Sequence, residues 1–247
     1  MARKGSKSGK TARRSRSGGR GGPIRVLRRW AVRLAGVLIL LTLLFVSLFA
    51  LVDPPTTPYM LSERSRLGPL EREWVAFDEI APVMARAAVA AEDADFCEHW
   101  GLDLSAIRAA IESGGDMGAS TISQQTVKNV YLWHGRSYTR KAIEALLTPV
   151  VEAIWSKERI LEVYLNVAEF DEGVFGVEAA AEHYFGTSAA ELTSEQAALL
   201  AALLPSPKTR SAADPDRATR ERARRIADGA ATIERDGRAA CFQGGQG

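Results

Sequence analysis

Nineteen consecutive residues, Leu34 to Val52 (LAGVLILLTLLFVSLFALV), carry neither a charge nor a proline. As an α-helix rising about 1.5 Å per residue, such a run is nearly as long as a hydrocarbon core of about 30 Å is thick. Lipid offers no partner to an unpaired backbone amide, so the run is read as one transmembrane helix. Residues 1–33 hold 12 of the 32 Lys and Arg and no acid. Dense positive charge on that flank puts the N-terminus in the cytoplasm and the remainder outside. The run exceeds the roughly 7–15 apolar residues of a cleaved signal peptide and ends in no small-x-small site, which favours an uncleaved anchor.

This partition changes what the formal charge of +2 means. Beyond residue 33 the chain has 20 basic and 30 acidic residues, so its folded part has no general positive field and any cationic cluster there is local. The head, MARKGSKSGKTARRSRSGGRGGP, lacks an apolar period, and residues 1–33 are expected to be a disordered cytoplasmic tail. A nucleic-acid-binding arm is the competing reading. With no aromatic residue before Trp30, a topology signal explains the segment better, and no nucleic-acid partner is expected.

After the anchor, residues 53–60 read as a proline-rich linker, residues 61–228 as one globular domain, and residues 229–247 as a flexible glycine-rich tail. Cys97 and Cys241 are too few for a disulfide framework or a zinc site. An oxidising compartment would permit them to pair, but the position of Cys241 in the tail weighs against it.

The domain reads as all-α, with no strand of convincing alternation. Apolar spacing predicts helices over 78–91 and 104–111, the second ended by Gly114 and Gly115. Thr121 with Gln124 and Thr193 with Gln196 are capping boxes, and Ser156 caps a further helix. Pro149 is a candidate kink in the helix that follows Ser137. Residues 214–227 form an Arg-rich helix expected to be peripheral.

Two stretches carry chemistry. AEDADFCEHWGLD, from Ala91 to Asp103, delivers carboxylates where an alanine-rich helix ends, with Gly101 to turn the chain. Met117 to Ile143 contains no acid yet holds Lys128, Arg136, Arg140 and Lys141, a cationic cluster in an otherwise acidic domain. Thr121, Gln125, Lys128 and Asn129 share one helical face, and the amides that open this helix are a candidate anion site. A carboxylate can deprotonate a sugar hydroxyl, and Lys and Arg can stabilise a departing phosphate or pyrophosphate. Together they point to glycosyl transfer from a lipid-linked sugar.

The segments EDADFCEHWGLD, GASTISQQTVKN, RSYTRKAIE, KERILEVYLNVAEFDEGVFGVEAAAEHYFG and SEQAALLAALLPSP follow one another between Glu92 and Pro207. They resemble the five successive motifs of the peptidoglycan glycosyltransferases, glycosyltransferase family 51. The resemblance implies a lysozyme-like helical fold that polymerises lipid II into linear β-1,4 glycan strands and releases undecaprenyl pyrophosphate, with inversion at the sugar carbon. Carried over by motif, Glu92 would be the general base. Glu144 would be a second catalytic carboxylate that orients the cations or holds a divalent cation, Mg2+ or Mn2+, the one cofactor considered. Lys128 and Arg136 would hold the donor pyrophosphate with Arg140 and Lys141 beside them, and Ser120, Thr121, Gln125 and Asn129 would complete the substrate site. Asp93, Phe96, His99, Gly101 and Gln124 would shape the cleft, with His99 a hydrogen-bonded structural residue.

The implied partners are lipid II, the growing glycan strand and the membrane, with cell-wall transpeptidases or divisome proteins as candidate protein partners. The implied location is the bacterial inner membrane, single-pass, with the catalytic domain periplasmic. The apolar and aromatic side chains from Val130 to Trp133 would either dip into the membrane interface or pack inside. Bifunctional relatives add a transpeptidase domain, and the sequence contains no Ser-x-x-Lys or Lys-Thr-Gly. Two alternatives stand beside this reading. A muramidase or lytic transglycosylase needs no cationic set for a neutral leaving group, and a non-catalytic cell-wall scaffold needs no intact motif residues.

Overall fold

The computed structural model describes residues 22–112, 120–135 and 137–243. The head before Gly22, the Gly114–Gly115 pair and Arg136 lie outside the described residues.

The chain divides into two compact units that meet in sequence between Leu43 and Leu44. The first consists, where described, of most of helix α1 (Gly22–Leu51). Between Arg25 and Leu51 this helix contains an 18-residue stretch with a mean hydropathy of 2.8, long and apolar enough to cross a membrane by length and composition. It begins inside the segment expected to be disordered. Pro23 is acceptable in a first helical turn, and from Ile24 to Ala35 nothing breaks the pattern.

The second unit begins with the last turns of α1. Val46 and Phe49 are buried in its core. Trp155 Nε1 donates to Val46 O at 2.9 Å, and Arg159 Nε donates to Phe49 O at 3.1 Å. Helix α2 (Pro58–Leu67) follows at once, capped by Thr57, whose hydroxyl accepts from Met60 N at 3.1 Å. The expected linker is therefore only the stretch before Pro58.

Helix α3 (Pro82–Glu92) is alanine-rich, and Ala85, Ala87 and Ala88 are fully buried. It packs against α9 (Ser194–Leu203), itself lined with buried Ala197, Ala198, Ala201 and Ala202, and against α10 (Arg217–Arg235). Small side chains on all three faces let the backbones approach closely. A second group is built on α5 (Ile122–Tyr131), which packs against α6 (Tyr138–Ile154) and α7 (Lys157–Val167). The shorter helices α4 (Leu104–Glu112) and α8 (Val177–Phe185) complete the shell.

Local capping works as the sequence implies. The boxes of Thr121 with Gln124 and Thr193 with Gln196 are both formed, and Ser137, Ser156 and Asp103 accept from the first turns of α6, α7 and α4. Helix α6 runs continuously through Pro149.

Three differences matter. A small sheet exists where no strand was expected: β1 (Glu71–Arg72) pairs in parallel with β3 (Val174–Phe175), which pairs antiparallel with β2 (Glu169–Asp171). Its strands are too short to show alternation, and buried Asn166 ties it down by bonding both N and O of Val75 at 2.9 Å. Helix α10 is also structural, extending to Arg235 with Ala223, Ile226, Ala230 and Ile233 in the core. Finally, the chain expected as a flexible tail turns into α11 (Ala240–Gln243), where Cys241 is disulfide-bonded to Cys97 and Phe242 is buried beside Phe96. A long-range bridge and an aromatic contact outweigh the glycines that suggested mobility.

Candidate active site

Glu92 is the last residue of α3, and its side chain is 12% exposed. Gln125 Nε2 donates to its Oε2 at 2.8 Å, and Arg222 Nη2 stands 3.4 Å from Oε1. Burial is the largest influence on this carboxyl and pushes its pKa upward against Gln125, Arg222 and Lys128.

The loop after Glu92 is tied to α5. Asp93 Oδ2 accepts the Ile122 N–H at 2.9 Å, and its Oδ1 pairs with His99 Nε2 at 2.7 Å. His99 Nδ1 accepts from Gly101 N at 3.1 Å, which assigns the proton to Nε2. Gly101 O accepts from the Thr121 hydroxyl at 2.6 Å. At φ +77, a Cβ on Gly101 would sit 2.4 Å from Thr148 Cγ2 on α6. Both ring nitrogens of His99 are thus hydrogen-bonded within the fold. At the opening of α5, two of the amides expected to be free are engaged within the fold. Asp93 takes the Ile122 amide and Thr121 takes that of Gln124, so the Thr121 hydroxyl is committed to the fold.

The cationic residues gather between α5 and α6. Glu144, buried on α6, pairs with Arg140 Nη1 at 2.7 Å and closely with Lys141 Nζ, which also donates to Ser120 Oγ at 3.0 Å. Arg140 and Glu144 side chains are 13% and 3% exposed, so this is no ordinary surface pair. Lys128 is different: no ion pair or hydrogen bond closes on its ammonium among the described residues. Burial, the largest influence, lowers its pKa; Arg140 and Lys141 lower it further, and Glu144 and Glu92 oppose them.

Asn129 Oδ1 meets His134 Nε2 at 3.1 Å. The His134 ring stacks at 3.5 Å on Tyr59 and has its pKa pushed down to about 4, first by desolvation and then by Lys128 and Arg140. Tyr59 donates to Glu169 Oε2 at 2.5 Å, and Lys208 lies 2.9 Å from Glu63 and 3.5 Å from Glu169.

Two cavities open on this arrangement. One of about 370 Å³ is lined by Gln125, Lys128, Asn129, Tyr59, Glu169 and Lys208. The other, about 260 Å³, is lined by Glu92, Asp93, Asp95, Asp103, Ser120 and Thr121. The Glu92–Gln125 hydrogen bond links a residue lining each.

Both Glu144 oxygens are engaged by cations. Among the described residues no group of three or more His, Cys, Asp or Glu side chains is placed to hold a metal ion. The donor set around Glu144 does not fit a protein-ligated divalent cation.

Of the predicted residues, the structure gathers Glu92, Gln125, Lys128, Asn129, Glu144, Arg140, Lys141, Ser120 and Thr121 along α5 and its neighbours; Arg136 lies outside the described residues. Sequence reasoning missed Tyr59, assigned to a linker, and also Glu169, Lys208 and Arg222. Glu169 lies within a quoted motif and Lys208 directly follows one, the only local signals available for these four.

A family model described as transglycosylase matches residues 61–231, and the chain belongs to that family. It is similar to the biosynthetic peptidoglycan transglycosylase of Jannaschia sp. (strain CCS1), 56% identical over 242 residues covering 98% of this chain and 99% of the relative. It is also similar to proteins of the same description from Rhodospirillum centenum (strain ATCC 51521 / SW), 47% identical over 223 residues, and Caulobacter vibrioides (strain ATCC 19089 / CIP 103742 / CB 15), 43% identical over 221 residues. Each of those matches covers 88% of this chain and 96% of the relative.

Proposed function

We propose that the chain polymerises lipid II into glycan strands through Glu92 as general base and Lys128 as the principal anchor of the donor pyrophosphate. It is a peptidoglycan transglycosylase acting in cell-wall synthesis. The 4-hydroxyl oxygen of the acceptor N-acetylglucosamine attacks C1 of the donor N-acetylmuramic acid as Glu92 takes the hydroxyl proton. The C1–oxygen bond to pyrophosphate breaks with inversion, and undecaprenyl pyrophosphate leaves with the electron pair. A buried carboxylate with raised proton affinity suits the first task, and cations in a partly dry cleft suit the second.

The observation that carries this reading is Lys128. Its half-buried ammonium has no ion pair among the described residues and faces a cavity large enough for part of a substrate. Such a charge costs stability unless an anion joins it. Arg140 and Lys141, held by Glu144, extend the positive field. This cationic set is what a pyrophosphate leaving group requires and a muramidase does not.

The same reading puts the enzyme at the inner membrane, with α1 as a single-pass anchor, the basic head cytoplasmic and the catalytic unit outside. Two observations support it. The Cys97–Cys241 disulfide suits an oxidising compartment. The outward face of α6 presents Tyr138, Ala142, Leu146, Pro149, Ala153 and Ile154, with Trp100, Leu104 and Trp133 also exposed in this unit, a display that suits contact with lipid. Trp133 is open to solvent, whereas Tyr131 packs among Phe45, Phe49 and Trp155.

The test is strand growth on lipid II by the full chain, set beside incubation with finished glycan. Wild type lengthens strands and leaves finished glycan intact, and Lys128→Ala loses about 10²-fold or more in rate with a melting temperature no lower than that of wild type. Shortening of finished glycan, or a Lys128→Ala rate equal to wild type, refutes the reading.

A further inference from the structure

Arg222 stands 130 residues from Glu92 in sequence, on a helix expected to be peripheral. Its Nη2 lies 3.4 Å from Glu92 Oε1 and 3.3 Å from the carbonyl oxygen of Ala91. The guanidinium thus bridges the last turn of α3 and the carboxylate that ends it. This approach depends on Gly229, two turns further along α10: a Cβ there would come 3.1 Å from Ala90 Cβ. Arg222 Nε, meanwhile, is buried without a hydrogen-bond partner. A contact retained only for packing is served better by an apolar side chain, because a desolvated N–H without an acceptor destabilises the fold.

Glu92 is faced by Lys128 from α5, Tyr164 from α7, Arg222 from α10 and its own neighbour Asp93. Two of these are cations. Pyrophosphate bound at Lys128 would neutralise that charge, leaving Arg222 as the cation that offsets burial of the carboxylate. Gln125 and Arg222 also approach opposite oxygens of the carboxyl group, which restricts its rotation.

We propose that Arg222 is a positioning residue for glycosyl transfer, placed against the Glu92 carboxylate so as to hold it ionised while the donor occupies the cationic cleft. This rests on Glu92 being the base. The test is the pH profile of kcat/KM on lipid II for the full chain, wild type against Arg222→Gln and Arg222→Lys. Arg222→Gln loses about fivefold at the acidic end, the size of one partly exposed ion pair, and approaches wild type on the alkaline plateau. Arg222→Lys, which keeps the charge, restores the acid limb. Should Arg222→Gln fail to fold, Arg222→Met, which keeps the packing stem, carries the same test.

A uniform loss at every pH, or a profile superimposable on wild type, overturns the proposal. Glu92→Gln assayed alongside separates the two failures. If it remains active, the base assignment falls; if it is inactive while the Arg222→Gln profile is unmoved, only the role of Arg222 is lost.

Discussion

Replacing Glu92 by Gln removes a charge and little else. The amide keeps the size of the carboxyl group, and its oxygen can still accept from Gln125 Nε2, now 2.8 Å from Oε2. What it loses is basicity and the attraction of Arg222, whose side chain is 30% exposed and 3.4 Å away. A pair of that exposure is worth up to about 1 kcal/mol. Against it stands burial, the largest influence on this group and the reason its pKa is raised.

The sign follows from that direction. A carboxyl whose folded-state pKa lies above its unfolded value contributes stability that is complete below the unfolded value of about 4.3 and lost as pH rises through the folded one. Glutamine is neutral throughout and does not incur that loss. At neutral pH the two terms oppose each other, and Glu92→Gln should change stability by less than about 1 kcal/mol, or about 2–4 °C in melting temperature for a domain of this size.

Catalysis should respond on another scale. Losing a general base costs about 10²–10⁴ in rate, or about 3–5 kcal/mol of barrier. The assay is single-turnover strand formation from lipid II, with thermal unfolding on the same samples. The wild-type acid limb should also lie above the ordinary carboxylate range, because the ionised form is required and burial raises the pKa. A variant within tenfold of wild type, or one that loses stability as a broken core would, refutes the reasoning.

The remaining predictions concern the scaffold that holds this carboxylate. Gly101→Ala would bring a Cβ to 2.4 Å from Thr148 Cγ2 at a φ of +77, and should cost about 1–3 kcal/mol from overpacking alone; an unmoved denaturant midpoint contradicts this account of the loop. Replacing Cys97 and Cys241 together by Ser opens a bridge between residues 144 apart and should cost about 2–5 kcal/mol. The same loss should appear when wild type is reduced, and identical melting curves with and without reductant would remove the bridge from the stability argument.

Much of the site was legible because its signals are local. Thr121 and Gln124 are three residues apart, so their capping box could be read directly, and with it the helix that carries Gln125, Lys128 and Asn129 on one face. Glu144 could be paired with Arg140 and Lys141 by helical spacing alone. What could not be read was burial. The same spacing describes a solvated surface pair, and only the packing of α5 and α6 makes Glu144 a buried carboxylate shared by two cations. The opening of α5 differs from expectation for a related reason: nothing local says that the carboxylate of Asp93, 29 residues earlier, accepts from the Ile122 amide.

Sequence by itself determined the elements and their chemistry: an apolar span of bilayer length, a set of capped helices, an acid-free cationic stretch and a glutamate at the end of an alanine-rich helix. These follow from the period of the helix and the hydrogen-bonding needs of its ends, which operate over three or four residues. Tertiary structure decided which distant groups meet. It brought Arg222 to Glu92, placed Tyr59 and Lys208 around the cavity beside Lys128, and joined Cys97 to Cys241. The physical reason is that such contacts arise from the mutual burial of helix faces, with Gly229 and the alanines of α3 and α9 setting how closely backbones approach. No local periodicity encodes that approach.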